Sequence, residues 1–299
     1  MSGELAPADC LWSPPLTILF PSLHTLEVAI PYWLATIILT TYRLDDLHCL
    51  RLLLEDAPKE SHHEFSLLQA ITQCKALTEL QLVTPHWRFS VLGLCLSSRH
   101  MKHLYIRTQD RLSITDEDFR KLCIEMPNLE FLGLIPMSIS CTDPLPELTL
   151  GAIRSIADTC PHLRHAVLYV DTELSSLQCY FDDDPFSPNH PLLSLCFPPT
   201  PVCDCIDVAA YLCTLFPDPG RTPSIRALSS TEKLSYWEPF SDCNSDDWMQ
   251  IAGMMDTLRK RVISPLKNTV RSEGCRISKV HKEVRHALAG SVSGEGFDY

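Results

Sequence analysis

Seven stretches of the chain share one spacing of apolar positions, Leu-x-x-Leu-x-Leu or a close variant. They run through Leu23, Leu26 and Val28; Leu47, Leu50 and Leu52; Leu77, Leu80 and Leu82; and Met101, Leu104 and Ile106. The same spacing returns at Leu129, Leu132 and Leu134; at Leu163, Ala166 and Leu168; and at Leu192, Leu195 and Phe197. A decayed eighth copy, SIRALSS, is expected to start at Ile225, which makes the successive offsets 24, 30, 24, 28, 34, 29 and 33 residues. Side chains alternate along a strand, so the last two apolar positions of each phrase share a face, while the first turns inward as the chain approaches the strand. Offsets of this size accommodate one strand and one helix per copy. The pattern therefore predicts an α/β leucine-rich-repeat solenoid, a horseshoe with parallel strands on its concave face and helices on its convex face.

Between the phrases the spacing turns helical. TDEDFRKLCIEM puts Phe119, Leu122, Cys123 and Met126 on one face and opens on Thr115 with Asp118 three residues on, a capping-box-like start. TLGAIRSIADTC repeats this with Ile153, Ile156, Ala157 and Cys160, and CIDVAAYLCTLF with Ile206, Ala209, Ala210, Cys213 and Phe216. Pro127 and Pro161 stop their helices and feed the following strands. AIPYWLATIILTTY, residues 29–42, is apolar enough for a buried helix but falls short of the roughly 20 residues that span a bilayer. Further on, Trp248, Ile251, Met255, Leu258, Val262 and Leu266 mark an amphipathic helix, expected to cover the open end of the repeats. The expected organisation is a disordered segment 1–15, repeats over 16–243, a helical cap with a basic tail over 244–289, and a disordered end 290–299.

Strand residues that flank the buried pairs point to the opposite face. Arg51, His103, Tyr105, Arg107, Phe131, His165 and Tyr169 are expected there, solvent-facing on adjacent strands, and Tyr and Arg are the residue types that dominate interface hot spots. Gly133 and Glu79, on the same face, are expected to tolerate substitution without loss of the fold.

Composition narrows the function classes. The chain has 299 residues, 45% of them hydrophobic, enough for a folded core. Its net charge of −12 argues against a general nucleic-acid binder, which needs clustered Lys and Arg to meet phosphates. Charge is uneven: residues 1–255 carry 16 Lys and Arg against 32 Asp and Glu, and residues 256–299 carry 9 against 5. Fourteen cysteines come without a signal-peptide pattern or an Asn-x-Ser/Thr sequon, so an intracellular, reducing compartment and packing thiols are expected, with no membrane contact. Cys74 and Cys160 stand three residues before their phrases, the register that Met126 fills elsewhere, where a thiol serves as a small apolar group.

No Gly-x-Ser-x-Gly elbow, phosphate-binding glycine loop or His-Glu-x-x-His occurs. Cys203, Cys205 and Cys213 lack the spacing of a zinc site, and Asp182, Asp183 and Asp184 fit a solvated loop. The expectation is a chain with no catalytic residues, cofactor or metal that binds a protein partner.

LTLGAIRSIADTCPHLRHAVLYVD, then NHPLLSLCFPPTPVCDCIDVAAYLCTLFPD, then the Trp-bearing helix SDDWMQIAGMMDTL, resemble the leucine-rich-repeat portion of basidiomycete F-box proteins over roughly residues 16–260. The resemblance implies repeats that read the substrate of a cullin ubiquitin ligase, joined to an F-box that docks a Skp-type adaptor. The first phrase already stands at Leu23, and LAPADCLWSPPL lacks the Leu-Pro-x-Glu-(Leu/Ile) opening of an F-box. The reading half without the docking half is therefore expected, with a Skp-type adaptor as partner only if an F-box lies upstream. The alternatives are a stand-alone repeat binding protein outside any ligase, and a truncated gene product without a defended function.

Overall fold

The structure, a computed structural model, describes residues 22–42, 44–55, 61–85, 99–109, 113–137, 145–173, 190–198, 202, 204–216, 223–227 and 245–258. The expected terminal segments 1–15 and 290–299, the acidic stretch 182–184, Cys203, Val262, Leu266 and the basic tail lie outside the described residues.

Eight strands form one all-parallel sheet in strictly sequential order. They are β1 (Thr25–Ile30), β2 (Cys49–Leu54), β3 (Glu79–Thr84), β4 (His103–Thr108), β5 (Phe131–Pro136), β6 (His165–Leu168), β7 (Ser194–Phe197) and β8 (Ser224–Ala227). Six helices are described: α1 (Tyr32–Thr41), α2 (Ser61–Thr72), α3 (Asp116–Glu125), α4 (Gly151–Thr159), α5 (Cys205–Leu215) and α6 (Ser245–Leu258). Residues from all six helices join one core cluster with the inward strand positions, such as Leu50, Leu80, Leu104 and Leu132. The described helices therefore lie on one face of the sheet and leave the other without a helix, unlike a doubly wound sheet that is covered on both.

The spacing of the phrase is visible as register. Leu50, Leu80, Leu104, Leu132, Ala166 and Leu195 align strand to strand, and all are fully buried. In four copies the first apolar residue closes a turn onto the residue three before it: Leu47 N–H donates to Leu44 O, Leu77 to Cys74 O, Leu129 to Met126 O and Leu163 to Cys160 O, at 3.0 to 3.2 Å. Cys74, Met126 and Cys160 are buried in that same cluster, so the thiols do serve as packing groups. Six successive carbonyls, those of His24, His48, Thr78, Lys102, Glu130 and Arg164, each accept two backbone N–H groups from the next copy. This double acceptance satisfies the polar backbone just before each strand and holds every copy in the same setting.

Two local features differ from the sequence reading. Ile225 pairs with Leu195, not with the position of Leu192. The eighth copy is thus three residues out of its expected register, and its true offset from Leu195 is 30 residues. The apolar run 29–42 is divided at Pro31: Ala29 and Ile30 end β1, and α1 buries Tyr32, Ala35 and Leu39 while Trp33 and Ile37 stay exposed. Proline has no N–H to give a ladder but suits the residue before a helix.

Capping follows the side chains. Thr115 Oγ1 accepts from Asp118 N–H at 3.2 Å at the start of α3, as expected, and Asp204 Oδ1 accepts from Ile206 and Asp207 N–H at 2.9 and 3.1 Å at the start of α5. Helix α6 packs on α5 and β8, with Trp248, Ile251 and Met255 buried and the Trp248 ring stacked on Phe197 at 3.8 Å. No described helix is long and apolar enough to cross a membrane.

Candidate functional site

The face that carries no helix among the described residues, called the helix-free face below, is organised by the parallel register, which sets equivalent residues in rows about 4.8 Å apart from strand to strand. One row carries Cys49, Glu79, His103, Phe131 and His165 on β2 to β6. The next carries Arg51, Gln81, Tyr105, Gly133 and Val167.

Toward β1 the face is ionic. Arg51 donates from Nε and a terminal nitrogen to Glu79 Oε1 at 3.0 and 2.9 Å, and its other terminal nitrogen reaches Glu27 Oε2 at 3.3 Å. Two carboxylates on flanking strands thus hold one guanidinium in place. Burial pushes the Glu79 carboxyl up, but the Arg51 hydrogen bonds, the Cys49 thiol and the nearby His103 outweigh it, leaving the group below its ordinary value. Burial and the Glu79 charge push the Cys49 thiol up to about 11, so it stays protonated at neutral pH and is no nucleophile.

Toward β7 the face turns apolar. Tyr105, Ile135, Val167 and Cys196 form a second, small buried cluster, with Phe131 packed half-buried against it. The Tyr105 ring lies over Gly133: a Cβ there would collide with Cδ2 and stand 2.8 Å from Cε2. Gly133 is therefore not a freely substitutable surface position. The expectation of tolerance there is corrected, because the missing side chain is what seats the tyrosine.

The expected patch is divided by this cluster. His103 and His165 are exposed, and Arg51 and Phe131 half-buried. Tyr105, Arg107 and Tyr169 are only 4, 5 and 9% exposed, so the expectation that they are solvent-facing is corrected. Arg107 donates to Met137 O at 3.0 Å, and burial pushes the Tyr105 phenol up. These residues are packed into the face, and His103, Phe131 and His165, consecutive in one row, remain accessible to solvent.

A further row escaped the sequence reading. The residue before each strand, the first x of Leu-x-x-Leu, is His24, His48, Thr78, Lys102, Glu130 and Arg164 in successive copies. The doubly accepting carbonyls belong to these residues, so their side chains are held along the N-terminal edge of the sheet. His24 and His48 stack at 5.5 Å, and each ring Nδ1 contacts the carbonyl oxygen two residues earlier. Lys102 pairs with Glu130 at 3.0 Å and lowers its carboxyl. Two adjoining hollows of about 310 and 380 Å³ share Glu130 and Arg164. The first opens toward Tyr105, Phe131 and His165, and the second toward His100, Lys102 and His162.

Of the cysteines weighed as metal ligands, Cys205 is half-buried and Cys213 buried eight residues along the same helix, about 12 Å apart along its axis. Those two thiols do not meet at one ion, since zinc–sulfur bonds are only about 2.3 Å long. Cys213 lies instead with its thiol 3.7 Å from Met255 O, in the packing between α5 and α6.

No protein-family model and no curated protein matches the chain.

Proposed function

We propose that the chain is a leucine-rich-repeat solenoid acting as a non-catalytic protein-binding scaffold, with the helix-free face of its sheet as the reading surface. The observation that carries this is the one-sided coverage: every described helix packs on one face of an eight-stranded parallel sheet. The uncovered face carries accessible His103, Phe131 and His165 in one continuous row. An aromatic side chain flanked by polar ones over a rigid, braced sheet suits a partner anchor, because little ordering is required on this side of the contact. The repeating offsets and the doubly accepting carbonyls support a solenoid in which each copy rests on its neighbours.

In the setting that the F-box resemblance implies, the face would read the substrate of a ubiquitin ligase. A Skp-type adaptor would be held by an F-box and not by the repeats. Co-isolation of the endogenous gene product with adaptor and cullin supports that setting, and a partner that is held but never ubiquitylated supports a repeat protein outside any ligase. The binding surface itself is tested by asking which side chains a partner touches, with crosslinkers placed on the two faces.

A further inference from the structure

The N-terminal edge of β4 to β6 carries basic side chains within the acidic part of the chain, residues 1–255. Lys102 and Arg164 stand there with Glu130 between them, flanked by exposed His100 and His162. Lys102 already answers Glu130, while Arg164 makes no ion pair or side-chain hydrogen bond among the described residues, though its charge helps lower the Glu130 carboxyl. An exposed arginine fork held on a rigid turn, by a carbonyl that accepts from Leu193 and Ser194, is set to receive a planar carboxylate. The adjoining hollow brings a second chemistry within reach. Phe131, the residue after Glu130, packs on Tyr105 at 6.2 Å between centroids and leaves part of its ring accessible.

We infer that this double hollow receives an acidic peptide segment of the protein partner, with an Asp or Glu carboxylate on Arg164 and a neighbouring apolar side chain on Phe131. The inference rests on the proposed reading surface and adds the chemistry of its occupant. Charge complementarity favours the Arg164 end: in a chain of net charge −12 the second hollow sets Lys102 and Arg164 against Glu130 alone, and Lys102 already pairs with that carboxylate. Glu79, on the far side of the first hollow, is paired with an Arg51 that it shares with Glu27, so an incoming carboxylate is directed to Arg164 at the other side. His103 and His165 border the same path and donate no charge that opposes it.

The test uses the full chain and fluorescently labelled peptides of about eight residues, long enough to cross the roughly 15 Å from β3 to β6. An array varies the distance between one Asp-Glu pair and one Phe or Leu, and a matched array carries Asn and Gln instead. Anisotropy at low and high salt reads affinity. The acidic array should contain binders that weaken at least about tenfold as amides, in Arg164→Glu, and on raising salt from 50 to about 500 mM. Arg164 is exposed, so the melting temperature of Arg164→Glu should match the parent and exclude misfolding. Equal binding of acidic and amide peptides, binding unchanged in Arg164→Glu, or no binding in either array overturns the inference. A protein partner crosslinked through Phe131 but neither displaced by the acidic peptide nor weakened by Arg164→Glu overturns it while leaving the reading surface intact. Loss of crosslinking from the whole helix-free face fails the functional reading instead.

Discussion

Gly133 stands opposite Tyr105 in the register of β4 and β5, and the tyrosine ring fills the space that a Cβ would need. The pairing turns an apparent surface glycine into part of the packing of the second cluster. Gly133→Ala should destabilise the fold by about 1–3 kcal/mol, the range for overpacking a fitted site. In a Tyr105→Ala background the same change should cost far less, because the obstructing ring is gone. Urea unfolding of the parent and the three variants measures this. Additive effects would show that the ring does not constrain Gly133.

Trp248 joins α6 to the end of the sheet through its stack on Phe197. The ring is completely buried, and its Nε1 has no hydrogen-bond partner among the described residues. Trp248→Ala should therefore cost about 3–5 kcal/mol, as large buried aromatics do. Trp248→Phe keeps the stack and removes the unsatisfied N–H, so it should cost under about 1.5 kcal/mol. Equilibrium unfolding of both variants decides it, and equal losses would indicate that the stack contributes nothing.

The ion network on β1 to β3 predicts an acid dependence. The Glu79 carboxyl lies below its ordinary value in the folded chain, so its contribution is complete above the unfolded glutamate range, near 4.3, and is lost as pH falls through the lower folded value. Glu79→Gln should melt below the parent at pH 7, and the gap should close only below about pH 4. A gap that closes between pH 7 and 5 would point to histidine titration instead.

The helix side of the sheet was legible because the signal there is burial itself. Leu50, Leu80 and Leu132 recur at a fixed place in the phrase, since any polar substitute would be trapped between copies. The other face was legible only in direction. Alternation says that Tyr105, Arg107 and Tyr169 point away from the helices, but not that neighbouring strands close over them, which depends on what stands one strand away, such as Gly133 beneath a ring. The edge row of His24, His48, Lys102 and Arg164 was present in every copy as the first x of Leu-x-x-Leu. An x position looks unconstrained in the sequence, and only the carbonyl ladder shows that its backbone accepts two N–H groups from the next copy. The eighth copy lies three residues from its expected register because Leu228, three residues after Ile225, imitates the first two positions of the phrase, whereas Ile225 and Ala227 are the pair that aligns with Leu195 and Phe197.

The central claim, that the helix-free face is the one a partner touches, is tested most directly by site-specific photocrosslinking. A benzophenone amino acid placed at His103 or Phe131 samples that face, and one at Phe65 or Ile124 samples exposed positions on α2 and α3. The account predicts that the two sheet positions crosslink the same discrete protein in cells of the source organism and that the two helix positions do not. Crosslinks from Phe65 or Ile124 to a discrete partner, with none from His103 or Phe131, would contradict it.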